Sequence, residues 1–343
     1  MINSGIRTDV MMKKIAICSA SILFVCIIAI TISACGKVNT EIERNDNAVK
    51  ITNSTPRSSQ NPVFSPEGNF IVYTRFLDGY NLGSSELVKI RRDGSDEHII
   101  VSAANSNNVN VPYGSWVGNK ICFASDRGGR ADEIWLVNDD GSNLTQITFH
   151  DEDEEITYIE PVFNPQNTNQ IIFEYVTGEN DLKAIHQIAL LEIDSGNISL
   201  LTDGAFDDRL PSWSEDGKKI LFQRNEYGQD EGWMIYVADI DVNAPEPLGN
   251  IRTISHGTSD DTDCSWSYDN NYVLSSSNYG NLPAPNIFMF PVNTTFSPVQ
   301  KTFSLFFEDG APSQSPNGEW IVFESHYGET EEDPSEIWII KSP

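Results

Sequence analysis

The chain repeats one unit six times, and that repetition limits its fold more than any other property. The clearest copy is Leu210 to Thr253. Within it, PSWSEDGKKILFQ (Pro211 to Gln223) reads as a strand ending at Trp213, a turn at Glu215-Asp216-Gly217 and a second strand through Ile220-Leu221-Phe222. A third strand follows at Ile235-Tyr236-Val237 and a fourth near Ile251-Arg252-Thr253. Each unit is thus expected to be a four-stranded antiparallel sheet of local hairpins. Gly217 suits the turn because it takes a positive φ without steric cost.

Aligned on this copy, the first-strand anchors are Phe64, Trp116, Phe163, Trp213, Trp266 and Gln314, spaced 52, 47, 50, 53 and 48 residues apart. Second strands repeat as FIVY, ICF, IIF, ILF, YVL and WIVF, and third strands as ELVKI, EIWLV, QIALLEI, MIYVA, NIFMF and EIWII. Fourth strands end in doublets such as Ile147-Thr148 and Leu201-Thr202. The sixth unit stops after its third strand, while Val49-Lys50-Ile51-Thr52 precedes the first unit as an isolated fourth strand. Glycine, proline, Asn and Asp punctuate the chain, and no long 3.6-residue period follows the first forty residues. The expectation is an all-β, six-bladed β-propeller of four-stranded antiparallel sheets, its last blade closed by the N-terminal strand. Closure removes the open edges that a row of sheets would expose.

FSPEG (Phe64 to Gly68), PSWSEDGKKILF, SQSPNGEWIVF (Ser313 to Phe323) and SDRGGRADEIWLVNDDGSNLTQIT (Ser125 to Thr148) resemble the WD40-like repeats of TolB-type β-propellers. The resemblance covers about 300 residues and departs from the pattern at Cys264, where the repeat usually has Pro, and at Gln314, which lacks the aromatic. It implies the propeller alone. The segment after Cys35 is too short for TolB's α/β N-terminal domain, so TolB's role in the Tol-Pal system is not implied.

Lys13-Lys14 precede an apolar run from Ile15 to Ile32, followed by Ser33-Ala34-Cys35-Gly36. A positive start, an apolar stretch and small residues before the cut describe a secretory signal. Ile-Ser-Ala-Cys resembles the bacterial lipobox, which implies lipidation at Cys35; the competing reading is an uncleaved anchor. The expected organisation is a lipoprotein signal peptide over 1–34, a flexible polar tether over 35–46 and the propeller over 47–343. Either reading places the propeller outside the cytoplasm, in the periplasm or at the cell surface, held to the cell membrane or outer membrane.

Without residues 1–34 the chain keeps 19 basic and 49 acidic side chains. Such a surface repels phosphate backbones, which excludes nucleic acid and favours a cation or a basic partner. Cys122 and Cys264 fall in different repeats and read as small buried hydrophobes.

In a propeller the loops leading into each first strand share a face with those joining second to third strands. These inlet loops carry Asp207-Asp208, Asp260-Asp261 and Glu308-Asp309 in register, with Glu160 and Asp263 just before their strands. The second-to-third loops repeat Tyr227-Gly228, Tyr279-Gly280 and Tyr327-Gly328. The candidate partner-binding residues are therefore Asp208, Asp261, Asp309, Glu160, Asp263, Tyr227, Tyr279 and Tyr327. They would form an acidic, aromatic face for an envelope protein or basic peptide, with a cation in the channel as a further possibility. Asp also favours turns for purely structural reasons. The acidic run Asp151 to Glu155 reads as a solvated loop.

No HxxxH or HExxH pair, GxSxG elbow, P-loop or dinucleotide fingerprint is present. Neither a cofactor nor catalysis is expected, since TolB-like propellers that serve hydrolases carry an extra domain. Two alternatives remain. Arg75 and Arg224, at equivalent strand ends with Arg127 nearby, could hold a carboxylated glycan; or the protein is a structural component of the envelope.

Overall fold

A computed structural model describes residues 44, 46–103, 108–111, 114–129, 131–150, 155–178, 184–229, 231–255, 259–293, 297–327 and 333–342. The signal, Cys35, most of the tether and the acidic run up to residue 154 lie outside them, as does Gly328.

The described residues form six four-stranded antiparallel sheets and contain no helix. The innermost strands are Ser58–Phe64, Trp116–Val117, Ile156–Asn164, Asp207–Trp213, Asp261–Trp266 and Phe307–Gln314. In five blades the strands follow chain order from inside to outside. The sixth takes its outer strand from the N-terminus, where Val49 pairs with Ile339 and Lys50 with Trp338. The expected ring of six, closed by this segment, is what the chain forms.

The closing segment copies the other outer strands in detail. Thr148, Thr202 and Thr302 each accept the amide of a third-strand residue, Ile134, Ile188 or Ile287, at 2.8–3.0 Å. Thr52 does the same for Ile337 at 2.8 Å and donates to Glu336, as Thr148 donates to Glu133. The hydroxyl bridges two strands where the ladder has run out, so these buried amides are satisfied.

Side chains alternate across each strand, so every sheet offers an apolar face to both neighbours. Six clusters result, one in each gap between adjacent blades. Tyr73, Phe123, Phe173, Phe222 and Phe323 occupy equivalent second-strand positions and are fully buried. Each such aromatic contributes roughly 2–3 kcal/mol by leaving water. Cys122 and Cys264 are buried and unpaired with each other.

Candidate functional site

Each first strand enters at one end of the ring, here the inlet face, and leaves at the hairpin face, where it turns into the second strand. Midway, five of these strands carry a bulge at the same place. Register breaks follow Gln60, Ile159, Arg209, Thr262 and Gly310. The next residues, Asn61, Glu160, Leu210, Asp263 and Ala311, all have φ of 50–54°. Non-glycine residues rarely adopt such angles, and in a bulge they turn an amide out of its own ladder.

That amide is received by the preceding blade. Asn61 N–H donates to Glu324 at 2.7 Å, Leu210 to Glu174 at 3.2 Å and Asp263 to Gln223 at 3.2 Å. The acceptors hold one equivalent place, directly after the buried second-strand aromatic. A belt of side chains joins them, from Asn61 to Asn110 at 2.8 Å and from Asn110 to Glu160 at 2.9 Å.

Carboxyl groups thus gather on the first and second strands around the channel. Burial pushes the Glu324 carboxyl up to about 8, aided by the charge of Asp263 and opposed by the Asn61 amide and the Tyr80 hydroxyl. Burial also raises Glu160 to about 8, with Glu174 and Asp263 adding to the effect. Asp263 rises to about 6 from burial, against a hydrogen bond from the Ala311 amide. Beside them a cavity of about 160 Å³ is lined by Tyr80, Asp263, Glu308, Glu324 and His326. Among the described residues, no three His, Cys, Asp or Glu side chains converge as ligands for a metal ion.

The inlet-face aspartates are in register, as the repeats imply, but all three are buried. Asp208 accepts two bonds from Arg224, at 2.6 and 2.9 Å. Asp309 is held by Arg44 and Ser325, and Asp261 by Ser277 at 2.5 Å. These carboxylates close the ends of their own hairpins and present no charge to the exterior. The three Tyr-Gly pairs are not equivalent either. Ser277 and Ser325 stand opposite Asp261 and Asp309, two places before Tyr279 and Tyr327, whereas Arg224 stands three before Tyr227. Tyr279 packs edge-on against Phe288, Tyr227 is half-buried and Tyr327 is exposed.

Arg75 and Arg224 are likewise engaged. Arg75 pairs with Glu86 at 2.9 Å and with Glu97, and Arg224 lies over the rings of Phe206, Phe222 and Tyr236.

At the hairpin face the channel opens into a cavity of about 320 Å³ to which all six blades contribute. Its walls include Phe64, Trp116, Trp213, Trp266 and Tyr268, with Ser65, Ser212, Ser265, Ser267 and Ser313 between them. Glu215 supplies a carboxyl raised by burial. The repeat identifies these aromatics as first-strand anchors; their common orientation towards one mouth depends on ring closure, which no single repeat encodes.

Comparison with known proteins fixes the family. The TolB beta propeller domain family matches residues 39–251. The chain belongs to that family. No curated protein matches it significantly. Among solved structures, an oligogalacturonate lyase in complex with manganese has a TM-score of 0.56 at 10% identity, covering 86% of this chain and 93% of that one. TolB from Acinetobacter baumannii has a TM-score of 0.55 at 16% identity, covering 83% of this chain and 63% of that one. A puromycin hydrolase has a TM-score of 0.54 at 13% identity, covering 82% of this chain and 51% of that one.

These likenesses correct the expectation that the chain is no enzyme. That expectation rested on the missing catalytic motifs and on the extra domain that TolB-like propellers serving hydrolases carry. The lyase, however, is matched over 93% of its own length, so the fold serves catalysis at this size with no such domain. At these identities the likeness shows the fold and assigns no reaction here.

Proposed function

We propose that this chain is an extracytoplasmic lipoprotein, lipidated at Cys35, whose TolB-type propeller is a scaffold that binds an extended segment of an envelope protein. The observation that carries the reading is the 320 Å³ mouth at the hairpin face. Tryptophan and tyrosine give large contact area at low entropic cost, and they dominate the centres of protein interfaces. Ser265 and Ser267 donate within the protein, to Pro312 at 2.6 Å and to Asp269 at 2.7 Å, so the aromatic wall carries the recognition. Farther along the channel Asp263 lines the smaller cavity, and its carboxylate favours a partner that brings a basic side chain towards it. This moves the binding surface from the inlet face to the hairpin face, because Asp208, Asp261 and Asp309 are consumed inside the protein. The glycan alternative loses its proposed ligands in the same way, with Arg75 and Arg224 held in ion pairs.

The test is capture of envelope proteins by the wild type and by Tyr268→Ala, a half-exposed residue of the mouth. The variant is expected to lose the protein that the wild type retains. Identical captures would defeat the proposal. Metabolic labelling with a radioactive fatty acid, expected for the wild type and absent in Cys35→Ala, tests the anchor separately.

A further inference from the structure

Exposed apolar side chains are unevenly placed on this protein. At the inlet face the loop between the fifth and sixth blades carries Phe303, Leu305 and Phe306, which are 50%, 51% and 59% exposed. Tyr327, 49% exposed, stands beside them, its ring 5.3 Å from that of Phe307. The inlet loops of blades three and four add Phe149, 73% exposed, and Phe206. At the hairpin face, by contrast, the exposed Leu144 and Tyr268 stand in separate blades, and the exposed Val49, Ile99, Leu200, Ile251 and Val299 lie singly on outer strands. Phenylalanines presented together to water mark a surface that something else covers.

The chain itself indicates what that is. Its described part begins at Arg44, whose guanidinium is buried in blade six against Asp309. Two residues on, Asp46 accepts the amide of Phe303 itself at 2.9 Å. The N-terminal segment is therefore fastened to the apolar loop. From Arg44 back to Cys35 a fully extended chain reaches at most about 30 Å. An acyl chain on Cys35 would hold this loop close to a bilayer at high effective concentration.

We propose that the inlet face is apposed to the membrane, with Phe303, Leu305 and Phe306 seated in the lipid–water interface. Aromatic and leucine side chains partition favourably there, and a second attachment adds to that of a lipid anchor. The binding mouth, at the opposite end of the channel, then points away from the membrane. The inference rests on the lipid-anchor reading. It also makes a salt prediction opposite to that for a basic partner. The acidic protein is repelled by anionic headgroups, so added salt strengthens its seating on anionic vesicles and leaves neutral ones unaffected.

The experiment uses the acylated full chain in vesicles of brominated phosphatidylcholine, with an environment-sensitive label on Leu305→Cys or, at the other face, on Leu144→Cys. Both native propeller cysteines are buried and do not compete for label. A blue shift and quenching are expected at 305 and neither at 144. Replacing Phe303 and Phe306 by Ser should abolish the signal at 305 while the chain still floats with the vesicles. Equal, unquenched labels on a chain that floats would overturn the proposal and spare the anchor. A chain that does not float, or floats equally as Cys35→Ala, would overturn the anchor reading and the inference with it. A 305 label that is shielded without lipid, on a species of dimeric mass, would assign the face to a second copy instead.

Discussion

The guanidinium of Arg44 donates to both carboxylate oxygens of Asp309, at 2.7 and 2.6 Å, across 265 positions of sequence. It also lies 5.1–5.4 Å from the ring centres of Phe307, Phe323 and Trp338. Blade four builds the same arrangement from within, where Arg224 forks onto Asp208 beneath Phe206, Phe222 and Tyr236. In blade six Ser325 stands where Arg224 would be, and the N-terminal segment supplies the missing cation.

Arg44→Ala should therefore weaken the seam that closes the ring. It would leave Asp309 buried with Ser325 as its remaining hydrogen-bond donor, and losing one member of a buried pair costs roughly 3 kcal/mol. Urea denaturation would measure the loss. Hydrogen exchange should show the Ile51 and Ile337 amides opening before those of blade three. Arg44→Lys restores the charge without the fork and should recover only part of the stability.

Blades four and five are expected to respond oppositely to the same substitution. Asp208→Asn strands Arg224 and should cost roughly 3 kcal/mol. Asp261 has Ser277 where blade four has Arg224, and its Oδ2 is buried without a partner. Burial pushes this carboxyl up against the pull of nearby Ser277, Ser255 and Ser259 hydroxyls. An amide at that place removes a buried charge and donates to one of those serines, so Asp261→Asn should be neutral or stabilising, to about 1 kcal/mol. Paired thermal melts decide the matter. A loss in Asp261→Asn as large as in Asp208→Asn would contradict this account.

The repeats made the ring, its closure by Val49 to Thr52 and the register of Asp208, Asp261 and Asp309 legible, because these follow from local periodicity. They did not show that the aspartates are buried. Asp208 meets Arg224 only through the register of its hairpin, and Asp309 takes Arg44 from a segment with no repeat signal at all. Glu174 and Glu324 were hidden for a related reason. Each follows an apolar strand core, and its reason for being there is an amide released by a bulge in the next blade. Bulges depend on tertiary packing, although the prolines after Asn61, Glu160, Leu210 and Ala311 mark their sites in hindsight.

At the mouth, Gly318 and Tyr268 are coupled. Gly318 has φ +72°, and a Cβ there would come within 2.3 Å of the Tyr268 ring. Gly318→Ala should cost about 1 kcal/mol through its backbone conformation and swing the tyrosine out of the cavity wall. It should match Tyr268→Ala in weakening partner capture, with the far-ultraviolet spectrum unchanged. Full capture by Gly318→Ala would remove Tyr268 from the binding surface.

The buried carboxyl groups Glu160 and Glu324 impose a pH dependence whose sign is fixed by the direction of their shifts. Glu160 and Glu324 titrate near 8 in the folded protein, against an ordinary 4.5. Between those values the folded state holds protons that the unfolded state has released, so this contribution to stability is full below about pH 4.5 and declines as pH rises towards 8. Many exposed carboxylates act in other directions, which makes a difference measurement necessary. Glu324→Gln keeps an acceptor for the Asn61 amide and turns an N–H towards the Tyr80 oxygen, while removing the ionisation. The variant should melt like the wild type at pH 5 and a few degrees higher at pH 8, a gap on the order of a few kcal/mol at most. Curves that stay parallel from pH 5 to 8 would show that Glu324 is ionised throughout, and that its neighbours tolerate the charge.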